Sequence, residues 1–332
     1  MKFGTQEMPA MEKMNAAVVT SFDEPPHYQQ FEIPQPEGDD EQLVDVLAVG
    51  LHPRVRSGAA GAHYTSTGKL PMIPGIDAVG QRADGKRIYF AADDTVFGTM
   101  AEKAVVDRRR AIELPEDVDV AKVAAAMNPA MSAWVALRRR VPIEPGQSVL
   151  VLGATGNAGA MAVQVAKRLG AGRVVGAGRD AERLSALSAV GADEVVRLTD
   201  DAEATSAALA GAAAEVDIVI DYLWGKPTER AIMALLTART DRSRALNWVQ
   251  IGAIAGPTIE LPSVALRSAN LRLQGTGQGA VSPAVYLAEL PSLVDEIDAG
   301  TIAVRANTWP LSEVETVWTQ TAPPGQRTVL VP

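Results

Sequence analysis

The stretch VLVLGATGNAGA, residues 149–160, joins an apolar run to three glycines spaced three residues apart, Gly153, Gly156 and Gly159. At a strand-to-helix turn, the first glycine permits the tight turn and the second lets backbone approach a pyrophosphate. The third lets helix and strand pack closely. The start of the helix then offers free N–H groups and a positive dipole end to phosphate. This stretch therefore predicts a dinucleotide-binding loop, and the residues between its glycines are expected to contact the cofactor as well: Thr155, Asn157 and Ala158.

The chain on either side of this loop alternates strand and helix patterns. AGAMAVQVAKRLG (158–170) predicts a helix that ends at Gly170, and RVVGAG (173–178) predicts the next strand. Later strands are predicted at EVVRL, VDIVIDYL, LNWVQIGA and LRLQGTG. Strands that alternate with helices form a parallel sheet covered on both faces, so this region is predicted to be an α/β domain with a doubly wound sheet.

The first third of the chain has a different pattern of short segments, rich in Val and Ile and interrupted by Gly and Pro. Four of them predict strands of a mainly antiparallel, barrel-like unit: LVDVLAVGL, DAVGQRA, RIYFA and AEKAVVD. The chain after Gly279 resembles this region. We therefore expect a first domain split between residues 14–139 and 280–332, an inserted Rossmann-type α/β domain over 140–279, and a disordered tail over 1–13.

Composition narrows the class of protein. With 332 residues, 47% hydrophobic and 21% charged, the chain is expected to fold into two globular domains.

The net charge of −9 disfavours binding to nucleic acid. The chain does contain two basic runs, Arg108–Arg110 and Arg138–Arg140, which we interpret as solvated ends of a loop and a helix. The chain has no cysteine, which excludes disulfides and thiolate zinc sites. No apolar run suggests a membrane span, so a cytoplasmic protein with no membrane partner is predicted.

The end of the second strand of the α/β region indicates which dinucleotide binds. An acidic residue at this position would bind the adenine ribose hydroxyls and disfavour a 2′-phosphate. The sequence has Gly178 there, followed by Arg179, whose planar guanidinium suits a phosphate. Asp180 is better interpreted as the N-cap of the next helix. This arrangement favours NADP(H), while the alternative is that Arg179 is only a solvated helix-start residue.

Two reductase families share the string GATGNAG. In short-chain reductases the string lies near the N-terminus, and a catalytic Tyr-x-x-x-Lys follows on a helix well over ~100 residues later. Tyr222 and Lys226 have that spacing, but they follow the glycines too soon, and Gly225 and Pro227 cannot continue a helix. We therefore interpret this match as accidental.

Several segments occur together in one order: AVGLHPRVRSG, LPMIPGIDAVG, GTMAEKAVV, IEPGQSVLVLGATGNAGAMAVQVAKRLGA and GADEVV. With them, the whole chain from Asn15 onward resembles the medium-chain dehydrogenase/reductase superfamily, in its zinc-less quinone oxidoreductase branch. This resemblance implies a split GroES-like catalytic domain, a Rossmann coenzyme domain and a cleft between them. It also implies a homodimer formed by sheet edges of the coenzyme domains.

The same resemblance assigns the metal positions. The three places that supply catalytic zinc ligands in zinc-dependent members correspond here to His52, Ile76 and Asn128. Only His52 is a side chain suited to zinc, and the four-cysteine structural lobe is missing, so we expect no metal site.

The resemblance also suggests site residues. His52 and Tyr64 are the catalytic candidates: His52 could donate a proton or only pack against the cofactor, and Tyr64 could orient the substrate. Arg56 and His63 are expected to be structural or solvent-facing. Besides the phosphate loop, Gly178 and Arg179, the resemblance implies these cofactor contacts: Asn128, Ser132, Gly252, Ala253, Thr276 and Gly277.

These features predict an NADPH-dependent, zinc-independent oxidoreductase that reduces quinones or α,β-unsaturated carbonyl compounds, with the cofactor providing the hydride. Two alternatives stay open at this point. One is a non-catalytic protein on the same fold that senses NADPH or contacts RNA through its basic runs. The other is an NADP-dependent alcohol dehydrogenase that uses residual metal.

Overall fold

The computed structural model of the chain describes residues 12–63, 65–92, 94–277 and 279–332. The chain divides into two compact units. The first runs through Ala125 and adds Ala306–Ala322 and Arg327–Pro332, and the second comprises Ala126–Arg305 and Pro323–Gln326.

The first unit consists mainly of antiparallel strands. Its strands are β1 (Lys13–Val18), β2 (His27–Glu32), β3 (Glu41–Gly50), β4 (Asp77–Gln81), β5 (Arg87–Ala91), β6 (Lys103–Asp107), β7 (Ala111–Glu113), and near the end of the chain β14 (Arg305–Pro310) and β15 (Gln326–Val331). A seven-stranded sheet has the order β14-β15-β3-β4-β5-β7, with β6 paired to β3, and β1 pairs with β2. Alternation sets the faces of β3, where Val44 and Val46 are buried and Asp45 is exposed.

The second unit contains a six-stranded parallel sheet. Its strands are β8 (Ser148–Leu152), β9 (Arg173–Gly178), β10 (Glu194–Arg197), β11 (Ile218–Asp221), β12 (Leu246–Gln250) and β13 (Leu271–Gly275). They are arranged in the order β10-β9-β8-β11-β12-β13, and every neighbouring pair is parallel. The order reverses beside β8, which is the switch point at which such sheets bind ligands. The fold is therefore α/β, a Rossmann-like parallel sheet together with a mainly antiparallel catalytic sheet, as the sequence predicts.

The helices of the described residues are α1 (Pro53–Ala59), α2 (Val120–Val135), α3 (Asn157–Arg168), α4 (Ala181–Ala186), α5 (Ala202–Ala213), α6 (Gly225–Ala238), α7 (Ser263–Arg267), α8 (Pro283–Asp298) and α9 (Val314–Trp318). Two helix ends that the sequence predicts, the C-terminal end of α3 and the N-cap of α4, are confirmed. Gly170, with φ of 99°, follows the end of α3, and the Asp180 carboxylate caps α4 by accepting a hydrogen bond from the Arg183 N–H. Gly225 and Pro227 do not exclude a helix, because α6 begins at Gly225, but Tyr222 lies outside it.

The helix α2 continues as a π-helical turn over Ala136–Arg140. The segment Val120–Arg140 is long and apolar enough to cross a membrane by length and composition alone, which the sequence analysis did not recognise. Of its most apolar window, 67% is buried, as in the core helix of a globular protein.

The domain bounds derived from the sequence stay a prediction. In the structure α8 belongs to the second unit, where Glu289 is 1% exposed and pairs with Arg138 and Arg139. The tail predicted over 1–13 lies outside the described residues except for Glu12 and Lys13, and Lys13 is the first residue of β1.

Candidate functional site

The glycine loop that is predicted to bind phosphate, called the phosphate loop below, lies between β8 and α3. Gly153 follows the strand with φ of +87°, a conformation that side chains other than glycine rarely adopt. A Cβ atom on Gly159 would lie 2.2 Å from the carbonyl oxygen of Gly153, so this position has room only for glycine. Gly156 is the N-cap of α3 and has no side chain to cap the N–H groups of the first turn, at Asn157, Ala158 and Gly159. The turn therefore keeps backbone donors for an anion.

The end of β9 packs directly on this loop. A Cβ atom on Gly178 would lie 2.5 Å from Cγ2 and 2.7 Å from Oγ1 of Thr155, so no acidic side chain fits at Gly178 without moving Thr155. Arg179 follows and is exposed. The packing of this strand end on the loop therefore accounts for the lack of an acidic residue at position 178.

Arg183 is a basic residue beside the loop that the sequence analysis missed. Its Nη1 donates to the carbonyl oxygen of Thr155 at 3.3 Å, and its Nε lies 3.5 Å from Asp180. A cavity of ≈ 470 Å³ is bordered by Arg183, Arg305 and three loop residues, Thr155, Gly156 and Asn157. Two guanidinium groups thus border the same cavity as the phosphate loop. The signal available in the sequence was the spacing Arg179-x-x-x-Arg183, which puts both arginines near the start of one helix.

A second group of predicted cofactor contacts lies at the carboxyl ends of β12 and β13, on the other side of β8 from β9. Gly252 follows β12, and a Cβ atom there would lie 2.8 Å from the carbonyl oxygen of Tyr222, which follows β11. Thr276 follows β13, and its N–H donates to the carbonyl oxygen of Gln250 at 2.9 Å. The structure therefore brings Tyr222, Gly252 and Thr276 to adjacent strand ends. Ala253 and Gly277 are the next residues along the chain.

Thr276 has a buried hydroxyl group that finds no partner among the residues the structure describes. Its side chain is 8% exposed, and its Oγ1 makes no hydrogen bond with any described residue. A buried hydroxyl is rarely left in this state, because losing its hydrogen bond to water has a cost in free energy. The orphaned atom fits a ligand that supplies the missing partner.

Ser132 lies on α2 near Asn128 and is hydrogen bonded to Tyr222. Its Oγ donates to the carbonyl oxygen of Pro129 at 3.1 Å, and it lies 2.9 Å from the hydroxyl oxygen of Tyr222. Burial raises the pKa of Tyr222, so its phenol keeps its proton and can donate to Ser132. Ser132 can then accept one further hydrogen bond. The sequence analysis did not assign Tyr222 a role at this position.

His52, in the first unit, is part of a buried polar chain. Its Nε2 lies 3.0 Å from Oδ1 of Asp77, and the Tyr89 hydroxyl donates to Oδ2 of Asp77 at 2.8 Å. Burial raises the pKa of Asp77 to about 7, and the hydrogen bond from Tyr89 opposes this shift. The three residues are each at most 3% exposed. Asp77 and Tyr89 were not predicted as site residues, although Asp77 directly follows Ile76.

The remaining site candidates of the first unit are Tyr64, Arg56 and His63, and the structure places each of them differently or does not describe it. Tyr64 lies outside the described residues. Arg56 has a structural role, because it donates to the carbonyl oxygens of Trp318 and Gln320, each at 2.9 Å. His63 Nδ1 lies 2.9 Å from Oγ1 of Thr65, and burial lowers the pKa of His63. Among the described residues, no group of three or more His, Cys, Asp or Glu is close enough to hold a metal ion.

The basic run at the end of α2 is bound within the protein. Arg138 and Arg139 both pair with the buried Glu289, and Arg140 donates to the carbonyl oxygens of Gly275 and Ala280. Arg138 and Arg139 stay exposed at the end of the helix, as the sequence predicts, but their guanidinium groups also neutralise a buried carboxylate.

Comparison with known proteins adds the following findings. Residues 158–289 match a family model described as zinc-binding dehydrogenase. A probable NADPH-dependent quinone reductase of Emericella nidulans is 30% identical over 362 residues, covering 96% of this chain and 100% of that protein. The human quinone oxidoreductase is 34% identical over 145 residues, 40% of this chain and 42% of that protein. The structure of mycobacterial Rv1454c complexed with NADPH has a TM-score of 0.74 at 22% identity, covering 96% of this chain and all of that one, which shows a shared fold.

Proposed function

Because this chain belongs to the medium-chain dehydrogenase/reductase superfamily, in its quinone oxidoreductase-like branch, we propose that it is an NADPH-dependent, zinc-independent reductase of quinones or α,β-unsaturated carbonyl compounds. The enzyme class follows from the match over 96% of the chain to a protein named as a probable NADPH-dependent quinone reductase. The observation that supports NADPH most strongly is Gly178 packed on Thr155, with Arg179 and Arg183 beside it.

The phosphate loop and the end of β9 suit NADP(H), because they combine positively charged arginines with the lack of an acidic side chain at Gly178. The backbone of Gly156, Asn157 and Ala158 would bind the pyrophosphate at the start of α3, as Rossmann loops do. Arg179 and Arg183 would bind the 2′-phosphate, since a guanidinium binds phosphate oxygens through paired N–H groups. NADH lacks this phosphate, so these arginines would favour NADPH.

The other end of the cofactor would lie at the ends of β11, β12 and β13. The orphaned Oγ1 of Thr276 would find its partner in the nicotinamide carboxamide. Ser132, held by Tyr222, would accept a second hydrogen bond from the ligand. The remaining contacts that we propose here are those implied by family resemblance: Asn128, Gly252, Ala253 and Gly277.

The chemistry of the reaction would come mainly from the cofactor. When bound, NADPH supplies a hydride to an electrophilic carbon or reduces a quinone. The protein orients the reactants and excludes water, which can account for a large part of the rate. We propose that His52, held by Asp77, provides or relays the proton that the product oxygen requires. Tyr64 stays a candidate for orienting the substrate.

We propose that the enzyme needs no zinc. The positions that would hold catalytic ligands carry His52, Ile76 and Asn128, and an aliphatic side chain such as Ile76 cannot coordinate a metal. The family model is nevertheless described as zinc-binding, so metal content needs a direct measurement. Stoichiometric zinc in purified active protein, with activity lost on chelation, would favour the alcohol dehydrogenase alternative.

A homodimer is part of the proposal. The sheet of the second unit ends at β13, whose outer edge would pair with a second copy. Two apolar residues of α7, the helix that precedes and contacts β13, are exposed, Val264 at 49% and Leu266 at 52%. Exposed apolar groups of this kind mark association surfaces. Light scattering should give twice the monomer mass, and Leu266→Glu should shift the protein toward monomer. The cytoplasmic location stays a prediction from the sequence.

The activity is tested by following NADPH absorbance with a panel of quinones and enones, in the presence of a chelator. The proposal predicts turnover with at least one of these electrophiles. It fails if the folded protein binds NADPH and oxidises none, which is the result expected of a cofactor sensor. An RNA-binding role has little support, because Arg138, Arg139 and Arg140 already have partners within the chain.

A further inference from the structure

Trp224 has a backbone conformation that is normally restricted to glycine. Its φ of 54° and ψ of −164° lie at the edge of a region that residues with a Cβ atom adopt only under strain. It is the one non-glycine residue with a positive φ among those the structure describes. A glycine at this position would adopt the same conformation without strain, so the tryptophan side chain is retained although it strains the backbone.

Trp224 also departs from the usual composition of a helix start. It is the N-cap of α6, a position that favours Ser, Thr, Asp, Asn or Gly, and its side chain makes no capping hydrogen bond. One side chain thus conflicts with two local preferences at a single position. Conflicts of this kind are concentrated at functional sites, where the side chain is needed for something other than stability.

The turn around Trp224 is held by the carboxylate of Asp221, which is 0% exposed. Oδ1 of Asp221 accepts hydrogen bonds from the backbone N–H groups of Leu223 at 2.8 Å and Trp224 at 3.1 Å. Its Oδ2 accepts from the Thr228 hydroxyl at 2.7 Å and from Nε1 of Trp248 at 3.0 Å. These four hydrogen bonds fix the turn and keep the strained residue in place.

The loop after β12 supports the same turn. The Ala255 N–H donates to the carbonyl oxygen of Leu223 at 2.8 Å. A Cβ atom on Gly225 would lie 2.6 Å from the carbonyl oxygen of Ala255, so the position after Trp224 has room only for glycine. Relaxing the backbone of Trp224 would therefore require this loop to move.

The indole of Trp224 is not a core side chain. Trp248 is 0% exposed with its Nε1 bound by Asp221, and Trp134 is 2% exposed. The ring of Trp134 also has Cζ of Arg138 at 5.0 Å from its centroid. Trp224, by contrast, is partly exposed, and its indole makes no hydrogen bond, aromatic contact or cation–π contact with the described residues. Its ring can therefore bind a ligand.

Trp224 lies close to the phosphate loop. It follows β11, which is next to β8 in the sheet. The preceding side chain packs on the loop, since a Cβ atom on Gly153 would lie 3.1 Å from Cδ2 of Leu223. Ligands of such sheets bind at the carboxyl ends of the strands around this switch point. A dinucleotide in the proposed site would therefore pass close to Trp224.

We propose that the indole of Trp224 stacks on a planar ring of the bound dinucleotide, adenine or nicotinamide. Stacking on an aromatic side chain is a favourable contact that any flat heterocycle can make. This inference rests on the proposed function, and it adds a binding residue that neither the glycine loop nor the arginines beside it include.

The test measures NADPH affinity by titration calorimetry for the wild type, Trp224→Leu and Trp224→Phe. Trp224→Leu keeps an apolar side chain and the strained backbone but has no aromatic ring, so it should bind NADPH at least about fivefold more weakly. Trp224→Phe keeps a ring and should retain most of the affinity.

Melting temperatures of Trp224→Gly and Trp224→Ala test the strain independently of the ligand. Both variants lack the ring, but only glycine relieves the backbone. Trp224→Gly should therefore melt higher than Trp224→Ala, by about 2 °C or more. Both should bind NADPH as weakly as Trp224→Leu does.

The fragment 2′,5′-ADP, which contains the adenine half of the cofactor, identifies the stacked ring. If Trp224→Leu weakens its binding as much as that of NADPH, the ring is adenine. If Trp224→Leu weakens only NADPH, the ring is nicotinamide. Either result supports the proposal.

Three results would overturn the proposal. Trp224→Leu and Trp224→Gly proteins that bind NADPH as tightly as the wild type would remove the indole from the cofactor site, while the proposed function would stand if the wild type oxidises NADPH. A Trp224→Gly protein that does not fold, or melts below Trp224→Ala, would make the side chain structural. A wild type that does not bind NADPH would contradict the proposed function as well.

Discussion

The Nε2 atom of His52 lies 3.0 Å from Oδ1 of Asp77, and both residues are at most 3% exposed. Tyr89 binds the other carboxylate oxygen, so Asp77 is held from both sides. In dyads of this kind the acid fixes the orientation of the imidazole. The arrangement gives His52 a defined orientation, and the raised pKa of Asp77 makes the charge of this buried carboxyl depend on pH.

Asp77 should make stability fall as pH rises from about 4 to 7, a window set by its pKa in the unfolded chain and the folded value of about 7. Between these values the folded protein binds more protons at this site than the unfolded chain. Its contribution to the unfolding free energy therefore decreases with pH, by at most roughly 1.4 kcal/mol per pH unit. Urea unfolding of the wild type and Asp77→Asn measures the difference between the two slopes.

The matched control for this prediction is Tyr89→Phe, which keeps the carboxyl group and should keep the slope. Other carboxylates titrate in both proteins and cancel in the comparison. Equal slopes for the wild type and Asp77→Asn would mean that Asp77 does not titrate in this window.

Gly178 and Thr155 should behave as an energetically coupled pair. Gly178→Ala places a methyl group 2.5 Å from Cγ2 of Thr155, so the loop must move, and we expect destabilisation of about 1–3 kcal/mol. Thr155→Ala removes the two clashing atoms. In a double-mutant cycle, Gly178→Ala should therefore cost much less in the Thr155→Ala background. Additive effects on the unfolding free energy would contradict the close packing.

Arg179 and Arg183 should distinguish NADPH from NADH. Replacing either with Ala should weaken NADPH binding by about 1.5–3 kcal/mol, the value of a charged hydrogen bond, and should leave NADH binding nearly unchanged. Titration calorimetry with both dinucleotides gives the two affinities directly. Lys226→Ala is a suitable control, because Lys226 pairs with Glu229 instead of bordering the loop. Equal weakening of both cofactors would remove the phosphate assignment.

Thr276 and Thr228 form a matched pair of buried threonines with opposite expected outcomes. The Thr228 hydroxyl donates to Oδ2 of Asp221 at 2.7 Å, whereas the Thr276 hydroxyl has no partner among the described residues. Thr228→Val should destabilise the free protein by about 1–3 kcal/mol, and Thr276→Val should not. Thr276→Val should instead weaken NADPH binding by about 0.5–1.5 kcal/mol. Unchanged NADPH affinity in Thr276→Val would exclude this hydroxyl from the cofactor site.

Much of the second unit could be predicted from the sequence because its signals are local. The apolar run before Gly153, the glycine spacing and the cap at Asp180 each act within a few residues, and the structure has the corresponding strand, turn and helices. The family could be predicted because this loop lies in mid-chain, with strand-rich segments before it. Periodicity then gave most strand positions to within two residues, as for β5 and β9.

The rest depends on contacts between distant residues, which periodicity does not encode. Arg138 and Glu289 are 151 positions apart, so their ion pair could not be predicted from the sequence. The pair Ser132–Tyr222 and the orphaned state of Thr276 are likewise visible only after folding. Arg183 was missed for a different reason, because only the structure shows that its side chain reaches back to Thr155.

The most direct test of the central claim is the ratio of kcat/KM for NADPH to that for NADH, measured with one quinone that the enzyme reduces and with a chelator present. The account predicts a ratio of about 10 or more, equivalent to about 1.4 kcal/mol, and activity that persists without metal. A ratio near or below about 1, or activity that disappears on chelation, would contradict an NADPH-dependent, zinc-independent reductase.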